Sequence, residues 1–338
     1  MVRKVYIGQY SNGGNCGIHT LGIDDSTGEI MELSHTFGLH NTIWLALSSD
    51  ATRLYAARDN GISVFHTTGG TLRHISDYET NHTQPCHLSL SSDGNRLYFA
   101  EYTDATCGII HLDTGKILTT TLSGNGPNLA RQSTAHAHCA VESPDGRYVF
   151  IADLGSDTIW IFDSTNLKLL QKIPTPPGAG PRHIVFHPNG KFSYVVFELA
   201  NIVIAYNYDN GTIIPIQNMP LLPDGYNGKS QAAALKISEN AGFLFATNRG
   251  HDSVTVFSID SVSGELKFIA NSSLGGSWPR DFSFLPGGRI AVACLEREGE
   301  VRTYTLDGNA GALKPLPYAV KMHRPVVAII DSTGTRKC

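Results

Sequence analysis

Residues 124–162, GNGPNLARQSTAHAHCAVESPDGRYVFIADLGSDTIWIF, contain the unit that decides the fold. A polar loop with two histidines precedes three apolar runs, and Ser143-Pro144-Asp145-Gly146 and Leu154-Gly155-Ser156-Asp157 separate these runs. Both separators predict tight turns, because proline fixes one backbone angle and glycine readily adopts a positive φ. The alternation that predicts strands with one buried face involves Val141, Tyr148, Phe150, Ile159 and Ile161.

The first of these turns recurs along the whole chain. Its third residue falls at 50, 93, 145, 189, 240 and 287, in steps of 43, 52, 44, 51 and 47 residues. A seventh turn, Asp331-Ser332-Thr333-Gly334, follows 44 residues later. A period of roughly 40 to 50 residues is typical of propeller blades. The sequence therefore predicts an all-β fold, a seven-bladed β-propeller.

The two chain ends are predicted to share one blade. Too few residues follow the seventh turn to complete a blade, whereas strand-like segments lie at Val2–Gly8 and Cys16–Leu21. We therefore expect the C-terminal strand Val326–Ile330 to pair with the N-terminal one and close the ring, which protects the sheet edges. Residues 1–338 are predicted to form a single propeller domain.

Composition and charge limit the classes of binding partner that we expect for this protein. The net charge is −4 over 338 residues, which gives no reason to expect nucleic acid or an anionic membrane. No apolar run approaches the roughly 20 residues of a membrane span, and the N-terminus reads as a strand. The cysteines are dispersed without a C-x-x-C pair, so we expect buried thiols and no metal site or cofactor. We predict a cytoplasmic monomer or weak homo-oligomer that binds a small molecule.

Two sets of repeat-equivalent positions are predicted to form a polar funnel at one face. They are the starts of the innermost strands and the ends of the second strands, and both sets are rich in charge. The starts are Trp44, His87, His138, Arg182, Gln231, Arg280 and Arg324. The ends are Gly8, Arg58, Glu101, Asp153, Glu198, Arg249 and Glu296.

Several segments resemble the seven-bladed lactonase family, which includes 6-phosphogluconolactonase and the fungal 3-carboxy-cis,cis-muconate lactonising enzyme. The resemblance covers essentially the whole chain. Its segments are Gly126-Pro127, Arg131-Gln132, His136-Ala137-His138, Gly180-Pro181-Arg182-His183, Thr247-Asn248-Arg249-Gly250-His251-Asp252 and Trp278-Pro279-Arg280.

The resemblance implies a catalytic set of His138, Arg182, Glu198 and Arg249. Histidine titrates near neutrality and acts as base and then acid. Arginine holds an oxyanion, a carboxylate or a phosphate through parallel hydrogen bonds. Glu198 is either a second acid/base or the group that orients Arg182 or the substrate. The predicted substrate-binding residues are His136, Arg280, Glu101, Asp153, Arg58, Trp44, His87 and Gln231.

Several alternatives stay open at this stage. The same residue types serve hydrolysis of a sugar-type lactone or cycloisomerisation of a carboxymuconate, and His136 is an alternative to His138 as the acting base. A non-catalytic ligand-binding propeller and a metal- or quinone-dependent enzyme are the other classes. Departures from the family pattern at Glu101 and Ala234 predict an altered pocket. Arg58, Arg280 and Arg324 are candidates for one phosphate site.

Overall fold

The structure is a ring of seven four-stranded antiparallel sheets. The computed structural model describes residues 1–11, 16–80, 83–307 and 311–333, and all regular secondary structure in these ranges is β-strand. Each sheet runs from an innermost strand at the ring axis to an outermost strand at the perimeter. The predicted fold class is confirmed.

The strands are numbered β1 to β28 in chain order. From inside to outside, blade 1 is β28 (Pro325–Ile330), β1 (Val2–Gln9), β2 (Gly17–Asp24) and β3 (Ile30–Phe37). Blade 2 contains β4 (Leu45–Leu47), β5 (Arg53–Arg58), β6 (Gly61–His66) and β7 (Arg73–Glu79). Blade 3 contains β8 (Pro85–Leu90), β9 (Arg96–Glu101), β10 (Thr106–His111) and β11 (Ile117–Thr121). Blade 4 contains β12 (Ala137–Glu142), β13 (Tyr148–Asp153), β14 (Thr158–Asp163) and β15 (Leu169–Pro174). Blades 5 to 7 are β16 (Pro181–Phe186), β17 (Phe192–Phe197), β18 (Ile202–Asp209), β19 (Thr212–Pro220); β20 (Gln231–Ile237), β21 (Phe243–Arg249), β22 (Ser253–Ile259), β23 (Leu266–Ser273); and β24 (Pro279–Phe284), β25 (Ile290–Leu295), β26 (Glu300–Leu306), β27 (Leu313–Lys321).

Blade 1 closes the ring as the sequence predicts. Strand β28 pairs with β1 from Val5 opposite Ile330 to Gln9 opposite Pro325. It also contacts the innermost strands of both neighbouring blades, β24 and β4. Val327 is fully buried in this position. The last strand of the chain is therefore the innermost strand of the first blade.

Inner strands are buried on both faces, so the prediction of one buried face is wrong. Phe150 and Ile161 of blade 4 pack in a cluster shared with blade 5. Their neighbours in sequence, Val149 and Ile151, pack in a cluster shared with blade 3. Alternate residues thus serve two different cores, because every blade is covered by another blade on each side. Solvent reaches mainly the outermost strands, such as β7 and β15.

The described cysteines are free and buried, as predicted; they are Cys16, Cys86, Cys107, Cys139 and Cys294. Cys338 lies outside the described residues. Within the described ranges, no helix has the length and apolarity needed to cross a membrane.

Candidate active site

A β-bulge near the start of the innermost strand aims the key side chains. In blade 5, Pro181 pairs with Phe197 and His183 with Val196, which leaves Arg182 as an extra residue. The same irregularity places Cys86, His138 and Arg280 as extra residues in blades 3, 4 and 7. Bulges of this kind redirect a side chain and are frequent next to active sites.

The bulges border a cavity of about 500 Å³ at the face where the innermost strands begin. This volume is in the range of small-molecule sites. His138, Cys86 and Gln231 line the cavity together with Tyr10, Tyr102 and Trp278. The charged side chains that line it are Arg131, Arg249, Arg280, Arg297, Arg324, Glu198 and Glu296.

Glu198 is the centre of a cluster of ion pairs at this cavity. Its Oε1 accepts from Nη2 of Arg131 at 2.6 Å. Its Oε2 lies 3.0 Å from Nε of Arg182 and 2.6 Å from Nη2 of Arg249. The glutamate is 2% exposed. One buried carboxylate therefore binds three guanidinium groups contributed by three parts of the chain.

The electrostatics keep this cluster ionised. Burial alone would raise the pKa of Glu198, but the charges of Arg249, Arg182 and Arg131 outweigh burial and hold it well below the usual range. Burial and then the charge of Arg249 lower the pKa of Arg182 to about 9, which leaves it protonated at neutral pH. Three cations against one anion leave two positive charges, so the cluster is suited to an anionic ligand.

The three arginines differ in their access to the cavity. Arg182 is 2% exposed, donates from Nη1 to the carbonyl of Ala233 at 2.7 Å and lies behind Glu198, outside the cavity lining. Arg249 donates from Nη2 to the carbonyl of Ala232 at 2.9 Å, and its side chain lines the cavity. Arg131, from the loop before β12, also lines it. Arg131 and Arg249 are thus the cations that a bound molecule reaches.

His138 faces the same cavity and is held by aromatic contacts. The rings of His183 and Tyr102 meet it nearly edge-on, with centroids at 5.5 and 5.7 Å. Its buried Nδ1 has no hydrogen-bond partner among the described residues. Burial and then the charge of Arg182 lower the pKa of His138 well below 6.5. The imidazole is therefore neutral at neutral pH and has the protonation state that a general base needs.

The channel below the cavity contains Trp44, His87 and His183. The centroid of His87 lies 4.4 Å from that of Trp44 and 5.6 Å from that of His183. The indole of Trp44 donates to the carbonyl of Leu88 at 2.9 Å. Trp44 and His87, both predicted to bind substrate, therefore lie beneath the cavity and do not line it.

These buried histidines predict acid sensitivity of the fold. Burial lowers the pKa of His87 to about 3, and it also lowers those of His138 and His183 below 6.5. Below pH 6.5 the unfolded chain binds protons at these sites that the native state does not, so their contribution to stability is lost as the pH falls. Burial raises the pKa of Glu101 from 4.5 to about 7, which offsets part of this loss.

We expect the free energy of unfolding to fall by about 3 kcal/mol between pH 7 and pH 5. Thermal melts at the two values measure the change. The variant His87→Phe, which keeps a ring against Trp44, should show a clearly smaller decrease. A melting temperature that is equal at both values would contradict the prediction.

Glu101 and Asp153 lie one register position away from Glu198, so the prediction that they contact substrate is not supported. Glu101 pairs with Pro85, and Asp153 pairs with Ala137. In blade 5 the residue at this position is Phe197, which pairs with Pro181, and Glu198 is the residue after it. A slip of one residue turns a strand side chain to the other face. Asp153 accepts from Nε1 of Trp160 at 3.1 Å and from the His136 amide at 2.7 Å. Glu101 accepts from Thr80 at 2.7 Å.

Arg58 and His136 also lie outside the cavity. Arg58 lines a separate cavity of about 500 Å³ between blades 1 and 2, where it pairs with Glu79. The proposed convergence of Arg58 with Arg280 and Arg324 is therefore wrong. The ring of His136 stacks on that of Tyr102 at 4.2 Å, and its Nδ1 lies 2.9 Å from the Tyr102 carbonyl oxygen. His136 thus supports Tyr102.

Sequence reasoning missed several cavity residues. Tyr102 is the residue after Glu101, and Cys86 is the residue before His87. In both cases the sequence predicts the neighbour of the residue that lines the cavity. Arg131 belongs to a segment that resembles the lactonase family, but the resemblance implies no catalytic role for it. Burial raises the pKa of the Cys86 thiol to about 12, so this thiol is no nucleophile at neutral pH. Among the described residues, no three His, Cys, Asp or Glu side chains form a group suited to a metal ion.

The fold and this cavity define a class: a closed seven-bladed propeller with a cationic site at one face. The sequence model of the family described as "Lactonase, 7-bladed beta-propeller" matches residues 4–330. The chain belongs to this family, as the resemblance implied.

Individual relatives agree over nearly the full length. The chain is 32% identical to a 6-phosphogluconolactonase of Bacillus subtilis (strain 168) over 336 residues, 95% of this chain and 96% of the relative. Identity to a 6-phosphogluconolactonase of Formosa agariphila is 32% over 329 residues, 89% of this chain and 91% of the relative. A solved periplasmic gluconolactonase of Pseudomonas aeruginosa superposes with a TM-score of 0.90 at 28% identity, covering 98% of this chain and 99% of that one.

Proposed function

We propose that this protein is a lactonase that hydrolyses a sugar-type lactone in the cavity around Glu198. The observation that carries the proposal is the neutral, buried His138 in the same cavity as the guanidinium groups of Arg131 and Arg249, which Glu198 holds in place. A base and an oxyanion-binding site are the two elements that ester hydrolysis requires. The names of the relatives, 6-phosphogluconolactonase and gluconolactonase, support the same reaction class.

The proposed chemistry adds one water molecule across the ring ester. His138 takes a proton from the water as its oxygen attacks the lactone carbonyl. Arg131 and Arg249 stabilise the oxyanion, whose collapse breaks the bond to the ring oxygen. The protonated His138 then gives its proton to the departing alkoxide. The product is a hydroxy acid, which releases its acidic proton to solvent at neutral pH, and the resulting carboxylate remains opposite the two arginines until release.

For Glu198 we propose an orienting role, which is one of the two roles left open above. Its lowered pKa keeps it ionised, and Arg131, Arg182 and Arg249 occupy its oxygens. A carboxylate in that state has no proton to donate and is a poor base. Arg182 is then a positioning residue, because it touches Glu198 and the Ala233 carbonyl rather than the cavity.

A panel of lactones tests the proposal. Purified protein is assayed on gluconolactone, 6-phosphogluconolactone and a carboxymuconolactone, in both directions and with and without a chelator. Hydrolysis of a sugar lactone that survives chelation is the expected result. Turnover of the muconolactone alone would instead favour the cycloisomerase, and absence of any turnover would leave a binding propeller. The cytoplasmic location and the monomer or weak oligomer stay predictions from the sequence.

Replacement of Arg182 by lysine is expected to lower kcat by about 10- to 100-fold. Lysine replaces two separate donors of a planar guanidinium, Nε to Oε2 of Glu198 and Nη1 to the Ala233 carbonyl, by one nitrogen on a flexible stem, so Glu198 and its other arginines are held less firmly. Steady-state kinetics measure the effect. Arg147→Lys is the matched control, because Arg147 is an exposed arginine that pairs with Asp145 in a distant turn. Equal activity of the two variants would contradict the positioning role.

A further inference from the structure

Blade 7 repeats the arginine–glutamate pair of blade 5. Arg280 and Glu296 are 16 residues apart, as are Arg182 and Glu198, and both arginines are the bulged residue after a proline. Nη1 of Arg280 lies 3.3 Å from Oε2 of Glu296. Arg324 contributes a second contact, with Nη2 2.5 Å from Oε1 of the same glutamate. The cavity therefore contains two centres of related design.

The second centre differs at a strained backbone position. The residue before the proline has φ near +67° in Gly180, where glycine accepts it freely. The corresponding residues are Trp278, with φ of 65°, and Arg324, with φ of 40°. A large side chain in this region carries a conformational cost and is a known sign of a functional constraint. These two side chains line the cavity.

Trp278 holds a further arginine in place. The guanidinium carbon of Arg297 lies 3.3 Å from the centroid of the Trp278 indole. Stacking of this kind leaves the in-plane N–H groups of a guanidinium available. Within the described part of the chain, Arg297 makes no hydrogen bond or ion pair. Arg297 lines the cavity, so its donors are available to a bound molecule.

The second centre has an excess of positive charge. Arg280 and Arg324 pair with the carboxylate of Glu296, and Arg297 lines the same cavity without an ion pair among the described residues, so two positive charges are in excess. The two centres are neighbours, since the charge of Arg280 adds to burial in lowering the pKa of Arg249. Binding of the lactone carbonyl accounts for the excess of positive charge around Glu198. It does not account for the excess of positive charge around Glu296.

We propose that Arg280, Arg297 and Arg324 bind a second anionic group of the substrate, a phosphate ester or a carboxylate remote from the lactone carbonyl. Both groups accept the forked hydrogen bonds that arginine donates. Trp278 fixes the position of Arg297, and Glu296 fixes those of Arg280 and Arg324. This inference rests on the proposed lactonase function and specifies further that the substrate carries a negatively charged group.

Three lactones of the same sugar separate the possible groups: gluconolactone, 6-phosphogluconolactone, and glucarolactone, whose sixth carbon is a carboxylate. We expect kcat/KM of the wild type to be at least about 10-fold higher for one anionic lactone than for gluconolactone, mainly through KM. The preferred anion identifies the group. Arg297→Gln should lower that ratio by about 10-fold or more, because a charge-assisted contact is lost.

A glycine variant separates binding from structure. Trp278→Gly relieves the strained backbone, so its melting temperature should equal or exceed that of the wild type, while the preference for the anionic lactone falls. Ala241→Gly is the control, because Ala241 has a φ of 57° in a turn away from the cavity. It should keep both activity and preference.

The outcomes distinguish the two proposals. If the wild type hydrolyses none of the lactones, the proposed function is wrong. If it hydrolyses all three with similar kcat/KM, or if Arg297→Gln and Trp278→Gly keep the wild-type preference, the anion site is wrong and the lactonase stands. A large drop in the melting temperature of Trp278→Gly would assign Trp278 to the fold and overturn its part in the site.

Discussion

Removal of residues 326–338 is expected to leave the protein insoluble or without a cooperative melting transition. The deletion takes away most of β28, in which Val326, Val327 and Ala328 are at most 1% exposed. It opens two hydrophobic clusters, one toward blade 7 and one toward blade 2. The lost burial is on the order of 5–10 kcal/mol, which is as large as the whole stability of a typical domain.

Two point variants check that ring closure causes this loss. Ala328→Asp places a charge in the buried strand beside Asp281, whose Oδ2 accepts from the Ala328 amide at 3.0 Å. It should reproduce much of the defect. Ser332→Asp, at an exposed position just after β28, should not. Circular dichroism and thermal melts measure both. A truncated protein with the melting temperature of the full chain would contradict closure by β28.

The architecture was predictable because its signals are local and repeated. A Pro-Asp-Gly turn specifies its own geometry, and its recurrence counts the blades without any knowledge of packing. The outermost strands were harder to detect, since β7 and β15 are mostly exposed and lack an apolar face. Burial on both faces could not be inferred from alternation, because the second face is covered only after the ring has formed.

The candidate site was predictable by residue type but not by register. A bulge adds one residue to the innermost strand and leaves no mark in the apolar pattern. Counting from the turns therefore selected His87 and Glu101, whereas their neighbours Cys86 and Tyr102 line the cavity. His138 and Arg280 do line the cavity, and the His136-Ala137-His138 and Trp278-Pro279-Arg280 segments select them independently of the count from the turns. The pairing of Glu198 with three arginines was not predictable from repeat-equivalent strand positions, because one of the three, Arg131, lies in a loop.

Replacement of His138 by alanine is expected to reduce kcat by about 10² to 10⁴, the usual contribution of a positioned acid/base group. No other imidazole among the described residues lines the cavity. The melting temperature should change by only a few degrees, since the ring contributes little to the apolar clusters between blades. His136→Ala is the comparison, because His136 acts on the cavity only by supporting Tyr102. Its loss of kcat should be about 10-fold or less, and a reversed order would identify His136 as the base.

The pH profile tests the same role of His138 without a mutation. Burial and Arg182 hold the pKa of His138 well below 6.5, so the neutral form that accepts a proton persists in mild acid. The acid limb of kcat/KM should therefore lie well below pH 6.5 for the free enzyme. The measurement is restricted to values at which the protein stays folded, because the channel histidines also lower stability in acid. An acid limb centred near pH 6.5 would instead indicate an ordinary, solvated histidine, and the base would have to be sought outside this cavity.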